Sequence, residues 1–175
     1  YADTGGPTHQ WSPQAMGRVG RNKNAILQKA RDLKADACFL ADADLILDAT
    51  TLRSLWYTDA PVTCGVYWTH WHKTGLETAQ LHAAPQVWLN HPYQLEGRGY
   101  EAHEFREKLV NRQAIQVWGQ GACTLIRKRV LDAGIDFSYV PGVSQDGMMA
   151  GEDRHFCIRC ERGHIPMVAD AWPDI

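Results

Sequence analysis

Ala37-Cys38-Phe39-Leu40-Ala41-Asp42-Ala43-Asp44 joins a short apolar run to a pair of acids. Its first five residues are apolar and do not alternate with polar ones. That pattern suits a strand covered on both faces, as in a parallel sheet flanked by helices. The two acids follow at the strand's carboxyl end, where open α/β sheets bind their ligands. At positions i and i+2 of an extended chain they project to the same side. Two carboxylates so placed repel unless a cation lies between them, and a hard dication with oxygen ligands, Mn²⁺ or Mg²⁺, is the natural partner. Such a cation could hold a diphosphate leaving group and neutralise its developing charge. The plainer alternative is two acids in a surface turn.

Working outward, Arg21 to Leu33 follows helical spacing, with Ile26, Ala30 and Leu33 on one face. Residues 4 to 20 are rich in Gly, Pro, Ser and Thr and read as loop. Thr50 or Thr51 is placed to cap a short helix through Trp56, and Pro61 to Trp68 reads as another strand. Alternation of helix and strand predicts an α/β domain with a mostly parallel sheet. Residues 69 to 100, rich in aromatics and histidines, read as an irregular insertion. Beyond it a helix is expected over Ala102–Asn111. Strands are expected at Ile115–Trp118 and Ala122–Ile126, on either side of Gly119-Gln120-Gly121. A short helix over Lys128–Ala133 should stop at Gly134. Residues 136 to 150 read as loop, Glu152–Arg162 as a helix stopped by Gly163, and Met167–Ala169 as a last strand.

Gly151-Glu152-Asp153 opens the last helix. Acids in a first turn complement the helix dipole. A carboxylate there could also serve as a general base that takes the proton of an attacking hydroxyl. The chain has 175 residues, 45% of them hydrophobic and 22% charged, and a net charge of −2. That composition suits one globular domain and offers no basic field, so nucleic acid is not expected as the main partner. No apolar run approaches the roughly 20 residues of a membrane span. Five cysteines, three of them in apolar stretches, suggest buried thiols in a reducing, cytoplasmic setting.

Four blocks together resemble the family 2 glycosyltransferases and related enzymes of the GT-A fold. They are Arg21-Asn22-Lys23-Asn24-Ala25, Asp42-Ala43-Asp44, Trp118-Gly119-Gln120-Gly121-Ala122-Cys123 with Leu125-Ile126-Arg127, and Gly151-Glu152-Asp153-Arg154-His155-Phe156. The resemblance implies a GT-A-like (Rossmann-like) sheet and an inverting, hexosyltransferase-type reaction. It implies a UDP- or GDP-sugar donor and an acceptor glycan or other hydroxyl compound. In that pattern Asp44 binds the metal directly. Asp42 lies by the ribose or binds the metal through water. Arg21, Lys23 and Asn24 lie near the donor. Gly119, Gln120 and Gly121 lie by the acceptor. Asp153 is the base, with Glu152 orienting the acceptor or the loop. Residues 1–68 would form the donor-side half and 69–175 the acceptor-side half of a single domain whose two ends read as cut. Only Asp3 and Thr4 match the family's second nucleotide-contacting loop.

Other features carry less. Trp68 and Trp118 each end a predicted strand and are candidates to stack on an acceptor sugar. Cys157 and Cys160 form a single C-x-x-C, read as two helix-buried thiols rather than a zinc knuckle. His70 and His72 lack further ligands at zinc spacing. Two other readings stay open: a nucleotidyltransferase or other phosphate-handling enzyme with an acidic metal pair, and a non-catalytic carbohydrate-binding module built on the aromatic insertion.

Overall fold

The computed structural model describes residues 13–70, 83–85, 87–88, 107–111, 113–143 and 151–171. Helix α1 spans Pro13–Asp32. It begins eight residues before the expected Arg21, because Pro13 suits the first helical turn, where its missing N–H costs nothing. Its buried face is Met16, Gly20, Lys23, Leu27 and Ala30, while Ile26 and Leu33 are exposed. A lysine on the inward stripe is what misaligns a reading based on apolar residues alone.

Strand β1 (Ala37–Ala41) follows, then α2 (Thr51–Tyr57), β2 (Val62–Gly65) and β3 (Trp68–His70). Thr50 caps α2 without a side-chain bond to the helix, its hydroxyl turning back to Asp48 instead. The expected strand through Trp68 is two strands, β2 and β3. The latter pairs with β4 (Ala83–Pro85), and β5 (Val87–Trp88) pairs with β7 (Gly119–Gln120). Residues 107–110 are helical, and the rest of the helix expected from Ala102 lies outside the described residues. Then come β6 (Ile115–Val117), β8 (Cys123–Arg127), α3 (Lys128–Asp132), α4 (Glu152–Arg162) and β9 (Met167–Asp170). Gly134, at φ 71°, ends the turn after α3 as its lack of a side chain permits. After α4 the left-handed residue is His164 rather than Gly163.

Five strands form the central sheet in the order β1-β8-β2-β9-β6. Only β2 and β9 run parallel; β1–β8, β8–β2 and β9–β6 are antiparallel. The fold is mixed α/β, and the expectation of a mostly parallel sheet is corrected. An apolar run without alternation reports cover on both faces, and that cover is present whichever way the neighbours run. Cys38 and Leu40 pack into the larger core with Leu27, Val62, Ile126 and Phe156, on the side of α1, α3 and α4. Ala37 and Phe39 join Leu55, Cys123 and Leu125 on the side of α2.

Strand β8, from residues 69–175, lies between β1 and β2, from residues 1–68. Arg31 on α1 secures the end of α3, donating to the carbonyls of Leu131 and Ile135, each at 2.8 Å. All five cysteines are free and buried, with Cys157 and Cys160 in the larger core. No helix among the described residues is long and apolar enough to cross a membrane.

Candidate active site at one sheet edge

Strands β1, β2 and β9 share a direction, so their carboxyl ends meet at one edge of the sheet. That edge collects Asp42 after β1 and Tyr67 after β2. Because β8 runs the other way, it also collects the approach to that strand, Gly121-Ala122. Asp42 N–H donates to the Ala122 carbonyl at 2.8 Å, extending the β1–β8 pairing by one residue. The chain then turns, with Leu45 N–H donating to the Asp42 carbonyl at 3.2 Å. The two aspartates therefore sit in a turn rather than on a continuing strand, so alternation is not what sets their directions. Asp42 is half-buried and Asp44 exposed. Burial pushes the Asp42 carboxyl up; Lys23 opposes this, and the charges of Asp44 and Glu152 add to it.

Helix α4 begins at the same edge with its acids inward. Glu152 is 7% exposed, and Gly20 lets α1 close on it: a Cβ at Gly20 would lie 3.2 Å from the Cβ of Glu152. Lys23, buried on α1, donates to Glu152 Oε1 at 2.9 Å and to Asp153 Oδ1 at 2.7 Å. Its ammonium also lies 5.2 Å from the Phe137 ring centroid. Burial alone would lower the Lys23 ammonium, and the two carboxylates more than reverse that. Asp153 is pushed up to about 6, chiefly by burial, with Lys23 opposing and Glu152 and Asp42 adding. Asp42, Glu152 and Asp153 therefore stand in one another's field.

No protein-family model matches the chain, and no curated protein matches it.

The remaining sequence candidates divide. Lys23 reaches the site, but it serves the Glu152–Asp153 pair rather than standing open for a donor phosphate. Asn24 has both ends of its amide engaged. It donates to Ser138 Oγ at 3.1 Å and accepts from Phe137 N–H at 2.7 Å, and so ties α1 to the loop before α4. Arg21 is exposed, its guanidinium lying back along α1 over Gly17. Trp68 lies in β3, and its side chain is outside the described residues, as are the side chain of His70 and the whole of His72. Trp118 is half-buried and donates its N–H to the Trp88 carbonyl at 2.8 Å.

Gly119 is buried under the Trp88 indole, and a Cβ there would fall 1.9 Å from a ring carbon. Packing against an aromatic plane accounts for this glycine. Gly119→Ala is expected to cost about 1–3 kcal/mol by overpacking, read as a lower midpoint in urea unfolding. Gln120 is 2% exposed, and neither atom of its amide has a hydrogen-bond partner among the described residues. His155 is buried structure: its Nδ1 accepts from Val140 N–H at 3.2 Å, and burial together with Arg159 and Arg154 holds its pKa down.

Sequence reasoning missed two features. The ion pairs of Lys23 with Glu152 and Asp153 were not foreseen, and Tyr67 was hidden within an apparently continuous strand. A break signal at Tyr67 was lacking, since Val66-Tyr67-Trp68 is as strand-prone as what precedes it.

Proposed function

We propose that the chain is a metal-dependent glycosyltransferase of the GT-A type, moving a sugar from a nucleotide-sugar donor to an acceptor hydroxyl with inversion. One observation carries this reading. The acid that ends β1 and the acid pair that opens α4 converge on one sheet edge, close enough that Asp42 raises the Asp153 carboxyl. Asp42, Glu152 and Asp153 are three carboxylates in one another's field, and among the described residues Lys23 is the ammonium that meets them. That excess of negative charge favours a cation.

Among the described residues no group of three or more His, Cys, Asp or Glu is gathered to hold a metal unaided. Two carboxylates nevertheless fit Mg²⁺ or Mn²⁺ of the kind that completes its shell with substrate phosphates and water. Asp44, exposed beside the half-buried Asp42, would be the direct ligand. When bound, the metal supplies charge neutralisation to the departing nucleoside diphosphate. Asp153 takes the proton of the acceptor hydroxyl as it attacks the anomeric carbon, and a carboxyl raised towards neutrality is well matched to that task. Glu152 and Lys23 fix its position. Arg21, exposed on α1, remains open to donor phosphates.

The test is a thermal-shift screen of UDP, GDP, CDP and dTDP with and without Mn²⁺, followed by transfer assays with the corresponding sugars. Asp44→Ala is expected to leave the unliganded melting temperature within about 1 °C, as an exposed substitution should. It is also expected to abolish both the metal-dependent part of the nucleotide shift and sugar transfer. Undiminished metal-dependent binding by that variant would end the assignment. Consumption of nucleoside triphosphates instead of nucleotide sugars would indicate a nucleotidyltransferase.

A further inference from the structure

Tyr67 and Asp153 flank the space that a side chain at Gly121 would occupy. A Cβ on Gly121 would lie 2.9 Å from Tyr67 Oη and 3.4 Å from Asp153 Oδ2. The hydrogen bonds on either side of the gap are incomplete in complementary ways. Tyr67 Oη accepts from Ala122 N–H at 3.2 Å, and its own proton has no acceptor among the described residues. Asp153 Oδ1 is taken by Lys23, and Oδ2 has no donor among the described residues. Burial, with the Asp153 and Asp42 charges behind it, pushes the phenol up to about 12, so it keeps its proton at neutral pH.

A group filling this gap must accept from the phenol and donate to the carboxylate at a single atom. An alcohol does both. An ammonium has no lone pair to offer Tyr67, and a carboxylate or phosphate oxygen has no proton to offer Asp153 and is repelled by it. The geometry points to Tyr67 as an acceptor-binding residue that, with Asp153, selects a neutral alcohol as the nucleophile.

This deepens the glycosyltransferase reading and rests on it. In the step itself, the alcohol proton passes to Asp153 Oδ2 and the alcohol oxygen forms its bond to the anomeric carbon. The bond from that carbon to the diphosphate oxygen breaks, its electron pair leaving with the nucleoside diphosphate. Tyr67 keeps its proton throughout and holds the attacking oxygen.

The experiment uses the full chain with Mn²⁺ and UDP-glucose, UDP-galactose, UDP-N-acetylglucosamine or GDP-mannose. Water, glycerol and methylammonium serve as nucleophiles, and products are read by mass spectrometry. Wild type is expected to form the glycerol glycoside and no methylamine adduct. Tyr67→Phe, which keeps the ring, should lower kcat for glycerol transfer about tenfold or more, with the donor KM changed by less than about twofold. A merely structural role would instead lower the melting temperature and donor affinity together. Gly121→Ala gives an independent readout if Tyr67→Phe fails to fold: by narrowing the gap it should suppress transfer to glycerol more than donor hydrolysis by water. Wild-type transfer rates in Tyr67→Phe, an unchanged glycerol-to-water ratio in Gly121→Ala, or a methylamine adduct would overturn the inference and leave glycosyl transfer standing. A wild-type chain inert towards all four donors would remove the transferase reading and this inference with it.

Discussion

Lys23→Met is expected to cost roughly 3–5 kcal/mol of folding stability, the range for removing one partner from a buried ion pair. Among the described residues the lysine is the only cation within hydrogen-bond distance of Glu152 and Asp153, and its side chain is 10% exposed. A methionine would fill the same volume against Phe137 but would leave two negative charges facing each other in a desolvated site. Urea unfolding at neutral pH measures the loss. Glu152→Gln and Asp153→Asn placed on the same background should recover most of it, since the cost is that of uncompensated charge rather than lost packing. A loss below about 1 kcal/mol would show that water reaches the pair and screens it. Lys23→Arg should fall between these values, because the charge is kept but a bulkier planar head must fit where a compact ammonium sits.

Asp153→Asn is expected to lower sugar transfer by about 10²–10⁴-fold, the contribution of a positioned general base, while leaving metal-dependent nucleotide binding intact. Two pH dependences accompany it. In wild type the base must be unprotonated, so activity should fall as pH drops below about 6, the value to which the Asp153 carboxyl is raised. Stability runs the other way. An unfolded aspartate titrates near 4, so between about pH 4 and 6 the folded state binds a proton that the unfolded state does not, and wild type loses stability as pH rises through that window. The asparagine variant lacks this term. Its melting temperature should therefore gain on wild type from pH 4 to 6 and hold the difference above. Parallel melting curves across that range would mean that Asp153 titrates normally and that its burial is not felt as a charge penalty.

Much of the fold was legible in local chemistry. The bounds of α4, the stop at Gly134, the two-faced burial of Ala37–Ala41 and the late strands all follow from spacing and punctuation within a few residues. What escaped depends on contacts across the chain. Strand direction is set by which neighbours insert where, and nothing in Cys123–Arg127 announces that it will run antiparallel between two earlier strands. The beginning of α1 was lost because Pro13, Gly17 and Gly20 look like loop residues, and the contact of Gly20 with Glu152 of α4 is not visible from local sequence. The site divides along the same line. Asp42 and the Glu152–Asp153 pair could be named from motif and position. The Lys23 ion pairs span 129 and 130 residues of sequence, and such a partnership has no local signature. Tyr67 is similar, since its importance rests on Gly121 lying opposite.

The insertion of β8 between β1 and β2 has a consequence for how the chain acquires its shape. During synthesis Ala37–Ala41 emerges more than eighty residues ahead of Cys123–Arg127, its partner in the central sheet among the described residues. Until then an uncharged, proline-free edge is exposed to any other nascent chain, the condition under which strands associate wrongly. High contact order of this kind makes for slow closure. A ribosome-bound nascent chain would hold the acidic turn after β1, but not the sheet that positions it, until Cys123–Arg127 had been made.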